Sequence, residues 1–274
     1  MWRWRLDFNR DLVAAQPTIG RLDWEYPADI EQNMNSSLPV SAAAKRQVFE
    51  TLRRSEHRAG GGAGAVLPLG VAEIDAALPW SGLPRGCLHE IAGQANDAAA
   101  AGFIAWLTGL LAPDGWALWC RVARRGLSAG HIYGPAVARF GIATERLIFV
   151  EADSAKDLLW AMEEGLRARR FAAVIGEGVA PDLIATRRLQ LAAETGSATA
   201  LLLVPPDSGR ISAAMTRWLV QSAIAERPGQ SRWVLRLERC RGGARGLWQV
   251  EWTDETLRLR LAAPLADRSL AAAE

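Results

Sequence analysis

HEIAGQANDAAAAGF, residues 89–103, decides the fold. An apolar run ends at Gly93, a short polar loop follows, and an alanine-rich run opens at Ala98. That is a strand passing through a loop into a helix, the junction at which parallel α/β sheets hold phosphate. A phosphate-binding loop of this kind needs a second glycine, a lysine for the β- and γ-phosphates, and a Ser or Thr hydroxyl for Mg²⁺. Counted from Gly93, those places fall on Ala98, Ala99 and Ala100. A methyl group neither neutralises phosphate nor ligates magnesium. Gly93 and the loop amides still offer an anion the positive end of a helix. Asp97 competes for that end, because it caps the helix and repels phosphate. No nucleotide, other cofactor or metal is expected to be held here.

Outward from the junction, short apolar runs alternate with helical ones. Strands are expected over Cys87–Ala92, Trp116–Val122, Leu147–Glu151, Ala172–Glu177 and Ala200–Val204. Helices are expected over Val71–Leu78, Ala98–Leu111, Pro135–Phe140, Ala155–Arg169, Pro181–Thr195 and Ile211–Ala225. Such alternation predicts βαβ units, a mostly parallel sheet flanked by helices, and so an α/β fold. The end of the chain reads differently. WVLRLERCR, LWQVEWT and LRLRLAA are strand-like runs separated by turns, and Leu257, Leu259 and Leu261 alternate with Arg258 and Arg260. That suits antiparallel strands at the sheet edge with one wet face.

Upstream of the core, Ser41 to Arg58 has helical spacing, with Val48, Phe49 and Leu52 on one face. AGGGAGA at 59–65 is a flexible tether. The expected organisation is a disordered tail over 1–40, a helix over 41–58, a linker over 59–66, a core over 67–263 and a flexible tail over 264–274. MWRWRLDFNR at the start fits two readings: a short Trp/Arg binding tail, or an extension ahead of translation from Met34.

The chain has 274 residues, half of them apolar, enough for one α/β domain with extensions. Basic charge is carried almost wholly by Arg, with Lys only at 45 and 156. GC-rich codon usage gives that bias, although Arg is also the better residue for bidentate contacts. Cys87, Cys120 and Cys240 are too scattered for a disulfide framework or a CxxC metal site. No apolar run approaches the ~20 residues of a membrane span, and a reduced cytoplasm is the expected compartment.

The order and wording of these pieces resemble the RecA family. LPLGVAEIDAALPWSGLPRGCLHEIAG is similar to that family's entry into its phosphate loop. LIFVEADSAKDLLWAMEEGLRARRFAAVIGEG at 147–178 is similar to its strand, helix and Walker-B strand. Closer still, the chain resembles the ImuA family of RecA-like translesion-synthesis accessory proteins. The matching features are ALPWSGLPRGCLHEIAG (77–93), the degenerate loop after it, RRLQLAAETGSATALLLVP (187–205) and RWVLRLERCRGGARGLWQVEW (232–252). The resemblance implies a non-catalytic protein of SOS mutagenesis. Its implied partners are RecA, an ImuB-like Y-family polymerase homologue and an error-prone replicative-type DNA polymerase, with single-stranded DNA reached directly or through RecA. The rival in another class is a SulA-like cell-division inhibitor acting on FtsZ, which shares a RecA fold without a working loop. A divergent ATPase comes third.

Several departures from a working RecA-type ATPase accompany the missing lysine and hydroxyl. Trp116–Arg125 contains no Asp or Glu where the catalytic carboxylate belongs. Glu177 stands at the Walker-B position, where without a metal it is a solvated or ion-paired acid. Pro205–Pro206 replace the polar sensor, and neither has a backbone N–H.

Among candidate contact residues, Arg236, Arg239, Arg241 and Arg245 surround Gly242–Gly243, with Trp233, Trp248 and Trp252 nearby. Three readings stay open: a solvated hairpin with its indoles under the sheet, a protein interface, or single-stranded nucleic-acid binding. Trp80 beside Gly82 is either core or an exposed anchor. Arg121, Arg124 and Arg125 follow a strand end, where sheets of this type gather ligands. The resemblance gives the 41–58 helix two fates: docking on a RecA protomer, or folding onto its own core.

Overall fold

The computed structural model describes residues 65–94, 97–123, 134–206, 211–225, 230–252 and 258–262. The expected helix over 41–58, with Val48, Phe49 and Leu52, lies outside these residues. So do both tails, almost all of the glycine tether, and Arg124 and Arg125.

Among the described residues, one nine-stranded sheet organises the fold. In chain order its strands are β3 (Leu88–Ala92), β4 (Trp116–Val122), β5 (Leu147–Ala152), β6 (Phe171–Glu177), β7 (Thr199–Val204), β8 (Thr216–Ala223), β9 (Ser231–Cys240), β10 (Gly246–Trp252) and β11 (Leu259–Leu261). Before them, β1 (Val66–Leu67) and β2 (Leu83–Pro84) form a small antiparallel pair around helix α1 (Ala72–Ala77). The sheet order is β11-β10-β9-β8-β3-β7-β6-β4-β5. From β5 across to β8 every neighbour is parallel, and from β8 to β11 every neighbour is antiparallel. The strand that leads into the Gly93 loop, β3, is central. It pairs with β7 from Leu88↔Ala200 to Ala92↔Val204, and with β8 from His89↔Thr216 to Ala92↔Leu219.

Period-two alternation sends neighbouring side chains to opposite faces. Ile91, Trp119, Ile175, Leu201, Trp218 and Trp233 face helix α2 (Ala99–Leu111), which buries Phe103, Ile104, Trp106 and Leu107 against them. Leu88, Leu118, Cys120, Val174 and Leu202 face the other way, towards helices α4 (Ala155–Arg167) and α5 (Leu183–Gly196). A short helix α3 (Gly134–Ala138) lies on the α2 side, where Val137 joins the core. Each fully buried Leu, Phe or Ile here contributes about 1.5–3 kcal/mol relative to an exposed one. Ser154 caps α4 by accepting from the Asp157 N–H, and Asp182 caps α5 by accepting from Ala185 N–H. Gly196 at the end of α5 has a packing reason, since any Cβ there would strike the Leu166 carbonyl of α4.

One expected element is corrected. Ile211–Ala225 is not a helix, because its second half is strand β8. Its composition is helix-compatible, but its burial has period two: Thr216, Trp218 and Val220 are fully buried while Arg217, Leu219 and Gln221 are less so. The empty edge of β3 on one side and β9 on the other supply backbone partners that local propensity does not register. The other strands and helices expected within the described residues appear with ends shifted by at most two residues, and the three C-terminal runs form the antiparallel strands β9–β11.

Candidate functional site

After β3, Gly93 donates its N–H to the Val204 carbonyl of β7 at 3.3 Å. A Cβ at Gly93 would collide with the Ala100 side chain, so only glycine lets the chain pass this close to α2. Ala99 and Ala100 are 3% and 1% exposed, with their methyl groups inside the core. Ala98 begins the helix without a side-chain cap.

The cap comes from one residue earlier. One carboxylate oxygen of Asp97 accepts the Ala99 N–H at 2.9 Å, and the other accepts the Ser222 N–H from β8 at 2.7 Å. The Ser222 hydroxyl adds a third, short hydrogen bond to the same carboxylate. Partial burial pushes the Asp97 pKa up, but the donors from Ser222 and Ala99 outweigh it and hold the carboxyl below its ordinary range. A formal negative charge thus sits at the positive end of α2 and stitches it to the end of β8. A phosphate brought within ~4 Å of it would be repelled by about 4 kcal/mol at an effective dielectric constant of ~20. The helix dipole offers an anion only about 0.3–1 kcal/mol in return, rising to ~2 in favourable geometries.

The carboxyl ends of the other parallel strands are also internally paired. Glu177, the last residue of β6, accepts from the Trp119 indole N–H at 3.2 Å. Arg121 at the end of β4 is buried and pairs with Glu151 of β5 at 3.3 Å. Pro205–Pro206 follow β7 directly.

On the α2 face, β3 contributes a fully buried His89. Its Nε2–H donates to the Pro84 carbonyl of β2 at 2.9 Å, because that oxygen can only accept. Nδ1 therefore accepts from the Thr216 hydroxyl of β8 at 2.8 Å, and the Trp218 indole N–H donates to the same hydroxyl oxygen at 2.9 Å. Burial lowers the His89 pKa to about 4, against a small opposite effect from Pro84, so the ring is neutral at pH 7. On the opposite face buried Glu90 lies beside Arg217, with a closest approach of 2.6 Å. Arg239 of β9 donates to the Ser212 and Ala214 carbonyls, each at 2.7 Å.

The C-terminal candidates differ in burial. Trp233 and Trp252 are buried, and Trp248 packs half-buried against the core 6.1 Å from Trp218. Arg236, Arg241 and Arg245 are exposed. Alternation along β9 puts Arg236 on the face opposite Trp233, while Arg241 and Arg245 lie in the turn between β9 and β10. Trp80 packs half-buried against the same core. Cys87, Cys120 and Cys240 are free and buried, and burial pushes their thiols up, that of Cys87 to about 12. The sequence pointed to Asp97 as a cap but not to Ser222 as its partner, because the bond spans 125 positions and Ser222 fell in the misassigned helix.

No protein-family model matches the chain. Two curated relatives do: Protein ImuA of Caulobacter vibrioides strain NA1000 / CB15N, and Protein ImuA of its strain ATCC 19089 / CIP 103742 / CB 15. Each is 36% identical over 234 residues, covering 76% of this chain and 93% of the relative.

Proposed function

This chain belongs to the ImuA family, and from that premise we propose that it is a non-catalytic accessory of DNA-damage-induced translesion synthesis. It acts by binding partners rather than by turning over a nucleotide. The observation that carries this reading is the Asp97 carboxylate, held by Ala99 and Ser222 at the helix end where a phosphate would have to sit. Methyl groups at Ala98, Ala99 and Ala100 and the tied Glu177 support it. The partners follow from family membership: RecA on single-stranded DNA, an ImuB-like polymerase homologue, and an error-prone replicative-type polymerase. None of the described helices is long and apolar enough to cross a membrane.

The test is a binding assay of the full chain against purified RecA, with and without single-stranded DNA, and against the polymerase homologue, with FtsZ as the comparison. Saturable binding to RecA or the polymerase homologue is expected without added nucleotide. Binding to FtsZ alone, or binding only in the presence of ATP, would contradict the proposal.

A further inference from the structure

Seven large aliphatic side chains are exposed among the described residues, and four of them gather at α5. Leu183, Ile184 and Leu191 lie on its outer face, with Ile184 73% exposed. Ile211, 74% exposed, sits in the segment that Ala213 ties to the helix through its N–H to Thr186 Oγ1 at 3.1 Å. At 100° per residue Arg187 falls between Leu183 and Leu191 on that face. It is exposed and has no carboxylate partner among the described residues, whereas its neighbour Arg188 is held by Glu163 at 2.9 Å. An uncompensated guanidinium set among exposed aliphatics is the composition of an interface centre, where Arg and apolar anchors concentrate binding energy.

From this geometry we infer that the outer face of α5, with Ile211, is the docking surface for a segment of another protein. That segment presents aliphatic side chains around a carboxylate that pairs with Arg187. Other occupants fit less well. Nucleic acid would need stacking rings and several free cations. This face has no aromatic residue, and it is bounded by the acids Asp182 and Glu194. A second copy in a two-fold contact would bring Arg187 towards Arg187. The segment 41–58 of this chain carries Lys45, Arg46, Arg53, Arg54 and Arg58 against only Glu50 and Glu56. The inference rests on the reading that the protein works by binding, and it names the partner's chemistry.

The test replaces Ile184 in the full chain with photoreactive p-benzoylphenylalanine and crosslinks in DNA-damaged cells. Mass spectrometry then identifies the joined peptide. The expected result is an adduct to another protein, within an aliphatic stretch that contains Asp or Glu. Arg187→Glu should cut adduct yield at least about tenfold through like-charge contact. Arg187→Lys should retain most of it, and replacing the partner's acid by Arg should restore it in the Arg187→Glu chain. No adduct overturns the inference. So does an adduct to nucleic acid, to residues 1–64, or to a second copy, as does a yield indifferent to Arg187→Glu. If the adduct meets these criteria in a protein unrelated to RecA or translesion polymerases, the surface stands and the proposed function falls. If RecA or the polymerase homologue binds and α5 variants leave that binding unchanged, the function stands and the surface falls.

Discussion

At residue scale, His89 in the central strand and Asp97 in the loop that follows it differ in charge state, and each leaves a pH signature. Asp97 is ionised and accepts three hydrogen bonds. Its folded pKa is depressed, so its stabilisation is complete above the ordinary carboxylate range and is lost as pH falls through the folded value. Asp97→Ala is expected to cost about 1 kcal/mol at pH 7 by urea unfolding, the size of a lost helix cap. The wild-type and variant stabilities should converge in acid, and a constant gap down to pH 3 would contradict the assignment. His89 is neutral, with a folded pKa of about 4 set mainly by burial. The unfolded chain binds a proton there near pH 6.5 while the folded chain does not, so stability falls as pH drops from 6.5 towards 4. His89→Gln should flatten that part of the pH–stability curve. An unchanged slope would mean that His89 is solvated.

At element scale, β8 shows where sequence pattern ends and tertiary context begins. The runs LIFVEA and FAAVIGE, continuous and apolar, were legible as buried parallel strands because nothing in them suits a helix surface. ISAAMTRWLVQSAIA was not legible, since its alanines satisfy helix propensity and its alternation is short. What settles it as a strand is a backbone partner on each side, β3 and β9, more than 100 and about 15 residues away. The β8 assignment has a chemical consequence at Glu90, which is 2% exposed and paired with Arg217 across the β3–β8 register. Glu90→Ala is expected to destabilise by about 3–5 kcal/mol, because it leaves a buried guanidinium without its counter-charge. The double variant Glu90→Leu with Arg217→Leu should recover most of that loss in the same urea titration. Equal losses in both variants would show that the pair is not coupled.

At the scale of the whole molecule, the sheet has two characters. Its parallel half is covered by helices on both faces. Its antiparallel half buries Trp233, Leu235, Leu237 and Val250 on one face and leaves Arg236, Leu247 and Gln249 exposed on the other. The hairpin Arg/Trp cluster was legible in composition but not in arrangement, because alternation along β9 sends Trp233 inward and Arg236 out, Arg239 is tied to the Ser212 and Ala214 carbonyls, and Arg241 and Arg245 lie in the turn between β9 and β10. At the carboxyl ends of the strands, where α/β sheets bind ligands, the described residues make internal pairs: Asp97 with Ser222, Glu177 with Trp119, and Arg121 with Glu151.

The most direct measurement is an isothermal titration of the full chain with Mg-ATP. Repulsion of about 4 kcal/mol corresponds to roughly a thousandfold loss of affinity. No saturable heat is therefore expected up to about 1 mM nucleotide. Saturable, magnesium-dependent binding at micromolar ATP, with the Asp97 carboxylate intact, would contradict the account.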